Sequence, residues 1–136
     1  MPDPEGKLTP AQFEIMQLIW NAPDGLTIGE VWEHIRSGRD VSRTTVLNLV
    51  DRLEKRGWLK RRKDDSVFRY TAAVERGSVE TQLTSDFIEE FFDGSAAHLM
   101  MSLLGSHRLS TPEIQQLKRL IDETASKAPR KRKDAQ

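Results

Sequence analysis

At Gly57 the hydrophobic period of this chain changes from helical to strand-like, and any fold it adopts must turn from helix to strand there. Before the glycine, Val46, Leu49, Val50 and Leu53 follow the i, i+3, i+4, i+7 spacing of one buried helical face. Ser42 stands at the N-cap position of that helix, and Gly57 sits where a left-handed residue ends it. After the glycine, Trp58 to Lys63 and Val67 to Ala72 read as two strands, with Asp64, Asp65 and Ser66 supplying the turn. A helix and a tight hairpin thus follow one another directly.

Two earlier helix starts use the same chemistry as Ser42. Thr9, Pro10 and Gln12 combine an N-cap, a first-turn proline and a capping-box glutamine, with Leu8 placed to staple onto Phe13. Phe13, Met16, Ile19 and Trp20 are the expected buried stripe of this first helix, which residues Asn21 to Gly25 break. Thr27 and Glu30 form a second box, with Leu26 and Val31 as the staple and Val31, Trp32 and Ile35 as the inner face. Three short helices and a two-stranded hairpin make a winged helix-turn-helix, in which the second and third helices are the helix-turn-helix pair.

The formal net charge is zero, but the charges are not evenly spread. From Arg36 to Lys63 there are ten cations against three acids, a local balance of +7 that the rest of the chain offsets. That asymmetry is what a polyanion-binding face on a protein whose other faces repel the same polyanion requires. Within it, Thr44, Asn48, Asp51 and Lys55 point away from the apolar face of the third helix, flanked by Leu47 and Arg52. Short polar groups near a helix N-terminus reach base edges, and cations hold phosphates. The reading assigns base contacts to Thr44, Thr45 and Asn48, a thymine methyl to Leu47, and the backbone to Arg43, Arg52 and Lys55, with the cap Ser42 on the same edge. The wing strands carry Lys60 and Arg61 as well as Arg62, Lys63 and Arg69, the last three expected to fix the wing on DNA. A basic winged helix that docks an acidic protein partner is the alternative.

From Glu75 the chain is helical again and turns acidic. Val79, Leu83, Phe87, Ile88 and Phe91 stripe one helix, Leu99 and Leu103 a second, and Ile114, Leu117, Leu120 and Ile121 a third that begins at Ser110. Three helices with such wide apolar faces cannot bury themselves in a unit this small, so a homodimer is expected through them. The expected organisation is a disordered lead-in over 1–7, a winged-helix DNA-binding domain over 8–74, a three-helix dimerisation domain over 75–126 and a basic disordered tail over 127–136. The fold class is mainly α.

Composition closes other routes. With no cysteine there is no disulfide framework and no thiolate metal site, and His34, His98 and His107 are too dispersed to form a local ligand set, so neither metal nor cofactor is expected. No apolar run approaches a membrane span and the first residues lack a secretory pattern, which points to a cytoplasmic protein without membrane insertion. The chain has no G-x-S-x-G, Walker or H-E-x-x-H motif, so an enzyme is not expected.

The stretches LTPAQFEIMQLIW, LTIGEVWEHI, VSRTTVLNLVDRLEKRGWLKR and FRYTA together resemble the penicillinase repressor family, the winged-helix regulators of β-lactamase and methicillin-resistance operons, across Leu8 to Thr124. The resemblance implies a dimeric transcriptional repressor bound to a palindromic operator through its N-terminal domain. It also implies a membrane-bound sensor metalloprotease as a partner system, whose signal leads to cleavage in the dimerisation domain and loss of the dimer from DNA. At the Asn-Phe cleavage position of the family's staphylococcal branch this chain has Ser102 and Leu103. Leu47 stands where the resistance regulators carry a basic residue, and the cysteine motif of the copper-responsive branch is missing.

Overall fold

The computed structural model describes residues 4–127. Along the chain these form α1 (Pro10–Trp20), α2 (Ile28–Arg36), α3 (Arg43–Lys55), β1 (Leu59–Asp64), β2 (Val67–Ala72), α4 (Arg76–Phe91), α5 (Ala96–Gly105) and α6 (Thr111–Lys127). The chain divides into two units, Met1–Leu83 and Thr84–Gln136.

The helices α1, α2 and α3 each begin with the cap their sequence offers. Thr9 accepts from the Gln12 amide at 3.2 Å while the Gln12 side chain accepts from the Thr9 amide at 3.0 Å. Thr27 and Glu30 exchange the same pair of bonds at 3.1 and 2.9 Å, and Ser42 accepts from the Thr45 amide at 3.0 Å. Each cap satisfies amide groups that a free helix end would leave unpaired, typically contributing about 1 kcal/mol.

The core joins Ile15, Met16 and Ile19 of α1, Val31 and Ile35 of α2, and Val46, Val50 and Leu53 of α3. Trp58, Leu59 and Tyr70 close it from the hairpin. The apolar stripe of α1 is rotated from its expected position: Ile15 is fully buried, whereas Phe13 and Trp20 are half-buried and meet edge to face at 5.9 Å. Trp20 is held at this boundary because its indole N–H donates to the Val74 carbonyl at 3.0 Å, a bond that deeper burial of the ring would forfeit. Leu49 of α3 is likewise only half-buried.

The strands β1 and β2 pair antiparallel in a register running from Leu59 opposite Ala72 to Asp64 opposite Val67. Asp65 turns the chain between them with φ 56°, a left-handed conformation that aspartate tolerates. The hairpin also has a third member that the sequence did not reveal. Leu26 bridges to Tyr70, donating to its carbonyl at 3.1 Å and accepting from its amide at 2.8 Å. Gly25 permits this approach: its φ is +88°, and a Cβ there would lie 2.9 Å from the Tyr70 oxygen.

Two boundaries differ from the sequence reading. The lead-in is tied down in its described part, since the Glu5 amide donates to the Arg56 carbonyl at 3.0 Å and the Trp58 indole donates to the Glu5 carbonyl at 3.0 Å. Residues 1–3 and the basic tail from 128 onward lie outside the described residues. Val79, expected at a dimer interface, is 6% exposed and belongs to the core of the first unit, so the start of α4 groups with the winged helix. The cause is its position on the first turns of α4, directly after Val74 and Trp20 have been pinned together.

In the second unit, Asp93 and Gly94 turn the chain out of α4 with φ 53° and 81°, and the Gly94 amide donates to the Ile88 carbonyl at 3.0 Å. Ser95 caps α5 by accepting from the His98 amide at 3.0 Å. Ser110 and Glu113 form a third reciprocal capping box, at 3.3 and 2.8 Å. Among the described residues from Thr84 onward, none is buried. Ile88, Leu99, Leu103, Ile114 and Leu117 are half-buried, whereas Phe91 is 67% exposed, Met101 63% and Ile121 57%.

Candidate nucleic-acid interface

The third helix presents its polar face outward because Val46, Val50 and Leu53, each 0% exposed, fix the opposite face in the core. That rotation leaves Thr44, Leu47, Asn48 and Arg52 exposed side by side. Among the described residues, Thr44, Asn48 and Arg52 have no side-chain hydrogen bond or ion pair, so their bonding capacity is open to a ligand. Leu47 stands among them with 45% of its surface in solvent.

The neighbouring residues are more committed. Ser42 and Thr45 share a hydroxyl hydrogen bond of 2.9 Å on top of the cap, which fixes the first turn of α3. Lys55 pairs with Asp51 at 3.1 Å, but both are well exposed and the pair is easily exchanged for a phosphate. Arg43 lies against the first turn of α2 over Gly29, where a Cβ would come 3.3 Å from its guanidinium. Gly29 thereby leaves room for a cation at the junction of α2 and α3.

Of the ten cations between Arg36 and Lys63, Arg36 is engaged with Glu33 and Arg39 with Glu14. Among the described residues Arg43, Arg52, Lys60, Arg61, Arg62 and Lys63 form no ion pair, so the net positive field comes from the face of α3 and from β1. Arg62 donates to the Asp24 carbonyl at 3.2 Å and Lys63 is exposed.

Arg69 occupies a different position. Its guanidinium donates to Asp64 at 2.9 Å, to Glu30 at 3.2 Å and to the Gly25 carbonyl at 3.3 Å. The hydrogen bond to Asp64, with the Glu30 charge next, raises its pKa further above the usual arginine value. The backbone amide of Thr27 holds the Glu30 carboxyl below the usual carboxylate range, assisted by the charge of Arg69. Sequence spacing placed Arg69 on the wing, but the carboxylates that claim it come from β1 and α2. Glu30 is 39 residues away and carries no periodic signal, whereas Asp64 lies just across the hairpin turn.

Residues 8–123 match the model of the penicillinase repressor family. The chain belongs to that family. It is a family of transcriptional repressors, not of enzymes. This repressor-family chain is similar to the methicillin resistance regulatory protein MecI of Mammaliicoccus sciuri, with 28% identity over 85% of this chain and 94% of that protein. It is also similar to the penicillinase repressor of Bacillus licheniformis, with 25% identity over 86% of this chain and 91% of that protein. Among solved structures, a point mutant of MepR from S. aureus shares the fold, with a TM-score of 0.51 and 23% identity across 88% of this chain and 79% of that one. Among the described residues no helix is long and apolar enough to cross a membrane, and no group of side chains could hold a metal ion.

Proposed function

We propose that this family member is a homodimeric, sequence-specific transcriptional repressor that reads a palindromic operator with α3. One observation carries the reading. Thr44, Asn48 and Arg52 stand exposed and unengaged on a helix whose opposite face is locked into the core. Thr44 and Asn48 meet base edges in the major groove, Leu47 meets a thymine methyl, and Arg43, Arg52 and Lys55 hold the flanking phosphates. Ser42 and Thr45 set the first turn of the helix and offer their hydroxyls at its N-terminus. Arg62 and Lys63 hold the backbone from the wing. Arg69 acts at one remove, as the brace that sets the wing against α2.

The second unit supports the dimer. Its three helices leave Phe87, Phe91, Met101, Leu104, Leu120 and Ile121 exposed, an apolar surface of the kind that a second copy of the chain covers. Leu83, one turn before Phe87 on α4, is 38% exposed, and Ile88, Leu99, Leu103, Ile114 and Leu117 are half-buried.

Repression then needs only occupancy of a promoter, and release needs the dimer to fail. Two linked half-sites multiply affinity through effective concentration, so loss of the dimer weakens binding on the order of 10² to 10⁴. The resemblance implies a sensor protease as the trigger. Ser102 and Leu103 lie inside α5, so a protease reaches that bond only after the helix opens locally. Selection of bound duplexes from a random DNA pool tests the core of the reading.

A further inference from the structure

We propose that Arg61 and Phe68 form a minor-groove reader at the tip of the wing, favouring A·T over G·C in the base pairs that flank the site of α3. The inference rests on the DNA-binding reading above. It adds a specificity element in which Phe68 presets the arginine that enters the groove.

The hairpin register puts Leu59 with Ala72, Arg61 with Tyr70, and Lys63 with Phe68 on one face. At the base of the hairpin that face is the core face, with Leu59 2% and Tyr70 5% exposed. Toward the tip the same face outruns the helices it packs on, and Phe68 emerges 41% exposed. The Arg61 guanidinium lies over the Phe68 ring, 4.3 Å from its centroid, and among the described residues it pairs with no carboxylate. The opposite face is occupied differently: Arg69 is taken up by Asp64 and Glu30, and Arg62 gives one of its donors to the Asp24 carbonyl. One face of the hairpin braces the wing, and the other carries a cation held over an aromatic ring.

An arginine that enters a narrow groove must first be ordered, and stacking on a ring removes part of that cost before binding. The minor groove of A·T-rich DNA combines enhanced negative potential with apolar sugar walls, which suits a guanidinium backed by a phenyl ring. A G·C pair places the guanine amino group on the groove floor and excludes the cation. Lys60 and Lys63 on the same strand lie within reach of the phosphates on either side. A ring that merely shields itself beneath Arg61 would confer no such preference.

The test uses the full chain and duplexes enriched from a random pool, with the flanking pairs built as A·T, as G·C, or as inosine·cytosine. Inosine keeps the major-groove edge of guanine and lacks its minor-groove amino group. The proposal expects A·T and inosine·cytosine flanks to bind alike and G·C flanks about tenfold more weakly. Arg61→Ala and Phe68→Leu bring the three flanks together while discrimination at the centre of the site is retained, and Phe68→Tyr keeps the preference. Equal binding of all flanks by the unaltered protein, inosine behaving as guanine, or a preference that survives Arg61→Ala would overturn the proposal. Failure of the unaltered protein to prefer any central sequence would instead overturn the DNA-binding reading, and this proposal with it.

Discussion

Trp32 donates its indole N–H to the Val41 carbonyl at 2.9 Å, closing the turn between α2 and α3 from within. The bond fixes the residue just before the Ser42 cap, so it sets the point and direction from which α3 starts. Trp32→Phe removes the donor together with the pyrrole part of the indole, keeping an aromatic ring at the site. The expected cost is about 1 kcal/mol of stability, read as a lower urea midpoint with an unchanged m-value. An unchanged midpoint would mean that the turn is held by packing alone.

Arg69 separates two roles that a basic wing residue can have. A direct phosphate contact, when removed, flattens the dependence of log affinity on log salt by about one unit. A brace removed from between Glu30 and Asp64 leaves two carboxylates unneutralised and the wing less fixed, lowering affinity while the slope changes little. Arg69→Met is expected to follow the second pattern and Lys63→Ala the first, measured as duplex affinity across a salt series. An equal loss of slope in both would return Arg69 to the phosphate-holding set.

Two capping carboxylates tie stability to acid pH. Glu30 and Glu113 both titrate below the usual carboxylate value, each mainly because a backbone amide donates to it, from Thr27 and Ser110 respectively. A lowered folded pKa contributes stability that is complete above the unfolded value and is lost as pH falls through the folded one. Glu30→Gln and Glu113→Gln keep a capping side chain, as Gln12 does in α1, and lose the titration. Urea midpoints for these variants should fall less steeply than those of the parent between neutral pH and pH of about 3. Parallel curves would remove the caps from the account.

Much of this architecture is legible in the sequence because its helix starts are written in local chemistry. Thr9 with Gln12, Thr27 with Glu30, and Ser42 each announce a helix by a bond between residues three apart, and the Asp65 turn is equally local. What was hidden is what distance in sequence conceals. The Leu26 bridge to Tyr70 is a single residue pair, too short to show a strand period. Val79 continues the apolar stripe of α4 without a break, and only packing assigns it to the first unit. Glu5 looks like part of a charged lead-in until the Trp58 indole reaches its carbonyl. Of the candidate site, the outward face of α3 follows from helical spacing, whereas the commitments of Arg69 and the stacking of Arg61 on Phe68 require the fold.

Phe87 and Phe91 meet with ring centroids 5.1 Å apart on α4, yet remain 46% and 67% exposed. Changing both to Asp places charge in the apolar surface proposed to meet the second copy. Sedimentation should then report monomers where the parent sediments as a dimer, with the first unit still folded. Affinity for a two-half-site duplex should fall on the order of 10² to 10⁴, while affinity for a single half-site stays close to that of the parent. A dimer that survives both substitutions would place the interface elsewhere.

The most direct test of the central claim is selection of duplexes from a random DNA pool by the purified protein at moderate salt, repeated with Asn48→Ala. The account predicts an enriched palindrome with half-sites about one helical turn apart, and a loss of discrimination of about 1–3 kcal/mol at one base position in the variant. Tight, salt-sensitive binding with no enriched sequence would contradict it, leaving a basic face that attracts polyanions without reading them.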